Sequence, residues 1–237
     1  MGVSTEHISK QFEADLGTTR TRVLQMGGLV EAQILGAIEA LATGEAKLAD
    51  QVIENDARVN GYEVAIDGAC NHIVVKRQPA ASDLRLIMAI AKIVTDLERI
   101  GDEAKKVARM AKHSHEHGPQ HAQRFPAIRH AAQVAVRMLR QALDAFARLD
   151  AASAAGVLKE DHAIDDEFRA VLRQLITYMM EDPRTISPAL DIIWIAKAVE
   201  RMGDHAKNIA EQVIYIVKGT DVRHTSFADI EREIGAD

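Results

Sequence analysis

The strongest constraint on the fold is an acidic motif that occurs twice in the chain. The stretch "DLERIGDEAKK" runs from Asp96 to Lys106, and "AVERMGDHAKN" runs from Ala198 to Asn208. Glu, Arg, Gly, Asp, Ala and Lys recur in the same order at an offset of 102 residues. Repetition at a fixed long offset indicates a structural unit that the chain builds twice.

The residues around each motif have the apolar spacing of a packed helix. Apolar positions alternate at intervals of four and three residues, which is the seam of left-handed helical bundles. The first seam is formed by Leu86, Ile90, Ile93, Leu97, Ile100, Ala104, Val107 and Ala111, and the second by Pro188, Ile192, Ile195, Val199, Met202, Ala206, Ile209 and Val213. Two further helices precede each seam helix with matching apolar stripes. The pattern predicts an all-α fold of two tandem, pseudo-repeated three-helix bundles.

Loop segments rich in Gly, Pro and polar residues divide the chain into four predicted parts. We expect a first three-helix bundle in residues 1–113, a His-rich linker in 114–125, a second bundle in 126–219 and a polar tail in 220–237. The tail is compatible with a short helix or with disorder. The histidines at the linker are His113, His115, His117 and His121. Gly and Pro between them favour a solvated linker over a rigid metal site.

Composition narrows the possible partners. The formal net charge is −6 and no basic cluster is present, which argues against nucleic acid as a partner. The most apolar segment, "PALDIIWIAKAV", contains Asp191 and Lys197 and is too short to insert into a membrane. The single cysteine, Cys70, excludes an internal disulfide and fits a cytoplasmic location.

The acidic motifs have matched partners on the preceding helices. Glu98 and Asp102 share one helix face, as do Glu200 and Asp204, because they are four residues apart. In antiparallel hairpins that turn at Pro79 in the first half and between Asp182 and Pro183 in the second, each acidic pair lies level with two oxygen-bearing residues of the helix before. The predicted candidates are Asp56 and Asn60 in the first bundle, and Asp161 and Asp165 in the second.

Two interpretations of these carboxylates remain open. Clustered carboxylates repel unless a cation neutralises them, and all-oxygen ligands suit hard cations: iron, manganese, magnesium or calcium. The absence of His and Cys from the array disfavours zinc. The alternative is a set of salt bridges, in which the neutralising side chains are Arg99, Lys105, Arg201 and Lys207.

The remaining distinctive residues favour structural roles. Trp194 and Met202 are expected in the core, and Gly101 and Gly203 are expected to allow close approach of a neighbouring helix. The sequence has no nucleophile–base constellation and no Gly-rich phosphate loop, which predicts a protein that is not an enzyme.

The two halves together resemble the PhoU family of phosphate-signalling proteins. "RQPAASDLR" followed by "DLERIGD" is similar to the first family signature, and "ERMGDHAKNIAE" to the second. The resemblance covers about Phe12 to Lys218, and it implies surface metal clusters at the acidic pairs named above. Asn60 departs from the family pattern because it replaces a carboxylate, and Lys106 stands where the second motif has Asn208. These departures favour the second site over the first.

The resemblance also implies a function. It implies a cytoplasmic, homodimeric accessory that docks to the ATPase subunit of a phosphate-specific ABC transporter and to a phosphate-sensing histidine kinase. Such a protein keeps phosphate-starvation genes off when phosphate is plentiful. The alternatives are a helical metal-binding or storage protein and a di-iron-type metalloenzyme. Di-iron sites use Glu-x-x-His motifs, but here Gly101 and Gly203 stand three residues after the Glu.

Overall fold

The computed structural model describes residues 3–79, 81–116 and 126–235, and every regular element in these ranges is helical. The first half contains α1 (Val3–Thr43), α2 (Ala46–Arg77) and α3 (Ala81–Glu116). The second half contains α4 (Pro126–Arg148), α5 (Ala151–Glu181) and α6 (Ile186–Lys218), with a 3₁₀ turn at Pro183–Thr185 before α6. A short helix, α7 (Phe227–Ile234), follows. The predicted all-α fold of two repeated three-helix units is therefore confirmed.

Local chemistry explains where several helices begin and end. Gly44 and Gly219 follow α1 and α6 with φ angles of 75° and 81°, a left-handed conformation that glycine adopts without steric cost. The side chain of Asp150 accepts a hydrogen bond from the backbone N–H of Ser153 at the start of α5. This contact satisfies one of the free donors in the first turn.

The two predicted seams form the centre of the core. All eight positions of the first seam are buried, and so are seven of the eight in the second. The exception, Pro188, is half-buried in the first turn of α6. The 4,3 spacing therefore identified the face of each helix that packs inward.

α3 and α6 lie side by side in antiparallel orientation and join the two bundles. Arg85, early in α3, donates a hydrogen bond to the backbone oxygen of Ile216, late in α6, at 3.2 Å. Nearer the middle of the two helices, the ring nitrogen Nδ1 of His205 lies 2.8 Å from the Asp96 carboxylate, and Arg201 lies 3.0 Å from Glu103. α1 also packs on α4, so the buried residues of both units form one continuous core. The repeat thus produces two similar units that share an interface.

The structure corrects one expectation about the core. Trp194 was expected to be buried, but 63% of its surface is exposed. It lies about 100° around α6 from the neighbouring seam residue Ile195, at the edge of the packed face, whereas Met202, on the seam, is buried as expected. Hydrophobic character alone misassigned the face on which Trp194 lies.

The segment after α6 contains a helix that packs on the second bundle. Ile230 of α7 is buried, and Lys159 of α5 forms an ion pair with Glu231 at 2.7 Å. The same ammonium lies 4.7 Å from the centre of the Phe227 ring. Of the two forms considered for the tail, the helix is the one observed.

The histidine cluster is only partly within the described residues. His113 lies in α3, with Nδ1 3.5 Å from Asp191 of α6. His115 is also within α3, and His117 and His121 lie outside the described residues. In the described part of the chain, no helix combines the length and apolar character needed to cross a membrane.

Candidate carboxylate site

In the second bundle, α5 and α6 bring the predicted acidic residues into one neighbourhood. Asp161 is 7% exposed and accepts a hydrogen bond from the Lys207 ammonium at 2.7 Å. Oε1 of Glu200 accepts from Lys197 at 2.6 Å. Oε2 of Glu200 is buried and has no hydrogen-bond partner among the described residues. A buried carboxylate oxygen without a partner is unfavourable, so Glu200 has unused capacity to bind a cation.

The other three carboxylates of the second bundle affect the pKa of Asp204. Its pKa is raised above the ordinary aspartate value, first by burial and then by the negative charges of Glu200 and Asp161, with a further contribution from Asp165. No described residue forms an ion pair with Asp204, whereas Asp165 lies 3.7 Å from Arg169. The four predicted residues therefore share one electrostatic environment with excess negative charge.

In the first bundle the predicted residues are also close together, but they are better neutralised. Lys105 bonds to Asp56 and lies 3.7 Å from Asp102. The amide of Asn60 donates to Asp56 over 3.5 Å. One ammonium contacts carboxylates on both helices, which agrees with the expectation that positions 56 and 102 lie level.

Glu98 completes this first set. Its pKa is raised, chiefly by burial and then by the charge of Asp102. Arg99 lies 3.6 Å from Glu98, and its positive charge lowers the pKa of Glu98. The first array thus has a cation near each of its three carboxylates.

The structure adds Glu63, a residue that the sequence reasoning missed. The pKa of Glu63 is raised by burial, by Asp67 and by Asp102, and its charge in turn contributes to the raised pKa of Glu98. Glu63 follows Asn60 by three residues on the same face of α2, which is a signal that could have identified it. Comparison of the two repeats does not reveal Glu63, because the equivalent position in the second bundle is Phe168.

Both interpretations of the array find support in its geometry. Lys105 and Lys207 form the salt bridges expected of them, whereas Arg201 bonds instead to Glu103. Within residues 3–79, 81–116 and 126–235, no three His, Cys, Asp or Glu side chains converge closely enough to hold a metal ion in this arrangement. The oxygen-only donors and the unpartnered Glu200 oxygen nevertheless fit a hard cation.

Fold and site together define a class of protein. It consists of two repeated three-helix bundles with a shared core, and it displays matched carboxylate arrays on the α2–α3 and α5–α6 hairpins. Comparison with known proteins finds the same organisation: the sequence model of the PhoU domain matches residues 23–111 and again residues 128–213. The chain belongs to the PhoU family.

Similarity to relatives extends over nearly the whole chain. The "Phosphate-specific transport system accessory protein PhoU homolog" of Pseudomonas aeruginosa is 51% identical over 97% of this chain and 95% of its own length. The "Phosphate-specific transport system accessory protein PhoU" of Escherichia coli strain K12 is 47% identical over 96% of this chain and 93% of its own.

Solved structures agree with the fold. The crystal structure of PhoU from P. aeruginosa superposes with a TM-score of 0.83 at 51% identity, covering 88% of this chain and all of that one. The structure of the phosphate transport system regulatory protein PhoU from Streptococcus pneumoniae gives a TM-score of 0.82 at 26% identity, covering 89% of this chain and 99% of that one.

Proposed function

We propose that this protein regulates phosphate uptake and phosphate-starvation signalling by docking to other proteins. The observation that carries the proposal is the 51% identity, over nearly the full length of both chains, to a relative named for phosphate-specific transport. The proposed partners are the ATPase subunit of the phosphate ABC transporter and a phosphate-sensing histidine kinase. Docking on the cytoplasmic side holds the kinase in its repressing state when phosphate is plentiful.

The proposed mode of action is conditional binding without turnover. The long helices share one continuous buried core, which suits presentation of surfaces to two partners. The proposed working form is a homodimer, which would display each surface twice and increase the avidity for a multisubunit transporter.

We further propose that a hard metal cation binds at the carboxylate arrays. In the second bundle the residues that would hold it are Asp161, Asp165, Glu200 and Asp204. The unpartnered oxygen of Glu200 and the missing ion pair at Asp204 support this set over the first one, formed by Asp56, Asn60, Glu98 and Asp102. Bound cation would replace the ammonium groups of Lys197 and Lys207 as the neutralising charge.

Co-purification tests the docking proposal. The full chain is expressed with a small affinity tag in its own host, grown with abundant or limiting phosphate. We expect the transporter ATPase subunit to be retained from phosphate-replete cells and lost from starved ones. Retention that does not depend on phosphate contradicts conditional docking, and no retention under either condition contradicts the proposed partner.

A genetic test addresses the signalling part separately. Deletion of the gene should derepress a phosphate-starvation reporter in rich phosphate, and the full chain should restore repression. Unchanged reporter activity in the deletion strain contradicts the regulatory role even if the transporter subunit co-purifies.

A further inference from the structure

A cleft of about 350 Å³ lies between the second half of α3 and the first half of α6. The exposed Trp194 ring forms one wall, and Met110 and Ala198 line the cleft as well. The rest of the lining is one acidic side chain, Glu103, and four cationic ones: Lys106, Arg109, Lys197 and Arg201.

The apolar part of this surface extends beyond the cleft. Ile186 and Leu190 precede Trp194 at intervals of four residues, and both are exposed. This spacing places the three side chains on one face of α6. Large apolar residues grouped on a surface mark interaction sites, and tryptophan is enriched among the residues that carry most of a binding energy.

A buried glutamate, Glu103, holds two of the four cationic side chains in place. Glu103 is 4% exposed, and its Oε1 lies 2.8 Å from the Lys106 ammonium and 3.0 Å from the Arg201 guanidinium. Lys197 is paired with Glu200, and Arg109 has no ion pair with any residue that the structure describes. Four cations facing two carboxylates leave this patch positive on a chain whose net charge is −6.

The repeat supplies a comparison surface at the other end of the α3–α6 pair. At an offset of 102, Trp194 corresponds to Lys92, Arg109 to Glu211 and Ala198 to Asp96. There the Lys92 ammonium lies 5.7 Å from the Tyr215 ring centre, and Asp96 pairs with His205. The other end has a lysine beside a tyrosine, but two of the three corresponding positions there are acidic, so the exposed tryptophan among four cations occurs at one end and the repeated fold does not by itself require it.

We propose that the Trp194 cleft docks an acidic segment of a partner protein, which inserts an apolar side chain against Trp194 while its carboxylates pair with the surrounding cations. Charge complementarity selects an acidic occupant. The recess between two helices suits one inserted side chain, whereas a lipid surface requires protruding residues. The inference rests on the proposed function only in that the chain works by binding proteins.

Trp194 is the only tryptophan in the chain, so its fluorescence reports directly on occupancy. The probe is a synthetic peptide of Glu residues flanking a central Leu pair, compared with a twin in which Gln replaces Glu, and with vesicles containing phosphatidylglycerol. We expect the acidic peptide alone to shift the Trp194 emission to shorter wavelength, and added salt to weaken the effect.

Variants locate the binding on the cleft. The double variant Lys106→Glu with Arg109→Glu reverses two charges, and it should bind a fluorescein-labelled acidic peptide more weakly than wild type by about tenfold or more. Trp194→Ala should weaken binding by roughly thirtyfold, as expected for an anchor residue. The matched controls are Lys92→Glu and Met88→Ala; Met88 is exposed and corresponds to Leu190 at the offset of 102. Both should leave affinity unchanged, and circular dichroism should be the same for all variants.

Four results overturn the proposal. They are an absent response to the acidic peptide, an equal response to the Gln twin, a response to vesicles but not to peptide, and a shift that grows with protein concentration alone, which indicates a second copy as occupant. None of these four measurements involves the transporter. Failure here with successful co-purification rejects this surface only, whereas failed co-purification with peptide binding rejects the proposed partner only.

Discussion

The Cδ1 atom of Ile164 in α5 lies 2.5 Å from the point that a Cβ atom on Gly203 in α6 would occupy. That separation is far below van der Waals contact, and Ile164 is almost fully buried. Gly203 therefore lets α5 approach α6 beside Asp204. The expected role of this mid-helix glycine is confirmed. Gly101 makes a close approach to a different helix in the first bundle: an added Cβ would lie 2.9 Å from Oε1 of Gln33 in α1, and 3.5 Å from Val59 of α2, the counterpart of Ile164.

Gly203→Ala should destabilise the protein although alanine favours helix. The substitution gains roughly 1 kcal/mol in helix propensity but forces overpacking that costs about 1–3 kcal/mol. Urea unfolding should give a lower midpoint than wild type. Gly61→Ala is the control, because an added Cβ at Gly61 meets no atom within 4 Å, and it should stabilise the protein.

A second substitution tests whether contact with Ile164 causes the destabilisation by Gly203→Ala. Ile164→Val removes the Cδ1 methyl and alone should cost about 0.5–1.5 kcal/mol. Combined with Gly203→Ala, it should cost less than the two single changes added together. Simple additivity would show that the contact does not limit the helix approach.

Metal content should depend more on the second carboxylate array than on the first. The double substitution Glu200→Ala with Asp204→Ala should remove more iron, manganese, magnesium or calcium than Glu98→Ala with Asp102→Ala. The reason is that the second array has four carboxylates where the first has three, and one of the four, Asp204, has no ion pair with any described residue. Elemental analysis of protein purified without chelator or His tag provides the measurement, and circular dichroism should show that helicity survives. Unchanged metal content in the second-array variant would leave the salt-bridge interpretation standing.

Asp204→Asn should stabilise the metal-free protein at neutral pH. The folded-state pKa of Asp204 is raised, so the folded state binds a proton more readily than the unfolded state, and stability from this group increases as pH falls through that pKa. At pH 7 the ionised form is therefore a penalty, of which the repulsion between Glu200 and Asp204 accounts for roughly 0.2–0.5 kcal/mol.

The pH dependence and metal dependence check this assignment. The gain from Asp204→Asn should shrink as the pH is lowered, and excess Mn²⁺ should stabilise wild type more than the variant. Asp166→Asn, at an exposed position, is the control. A gain that is constant from neutral to acidic pH would assign the effect to packing instead of charge.

The protein should act without catalytic turnover. No nucleophile–base constellation was identified in the sequence, and the proposed regulatory role requires binding only. Purified protein should neither hydrolyse ATP nor release phosphate from phosphoproteins above the level of a mock purification. Activity that Glu200→Gln abolishes would revive the metalloenzyme alternative.

The sequence by itself determined the repeat, the helical class and the inward face of α3 and α6. Apolar spacing is a local property, and a residue such as Ile93 or Ile195 is buried wherever its helix packs. The proximity of Asp161 to Asp204 was also predictable, because a hairpin turn sets the relative heights of two antiparallel helices.

Tertiary structure alone decided which helix faces meet across the two bundles. The periodicity of α6 does not encode that α3 is its neighbour, so the bond between Arg201 and Glu103 and the exposure of Trp194 could not be derived from it. The spacing of Glu63 after Asn60 makes it a candidate for the first array, but the rotation of α2 about its axis decides whether it faces Glu98. Helix rotation and inter-bundle packing result from the summed contacts of many buried side chains, and no local sequence pattern specifies that sum.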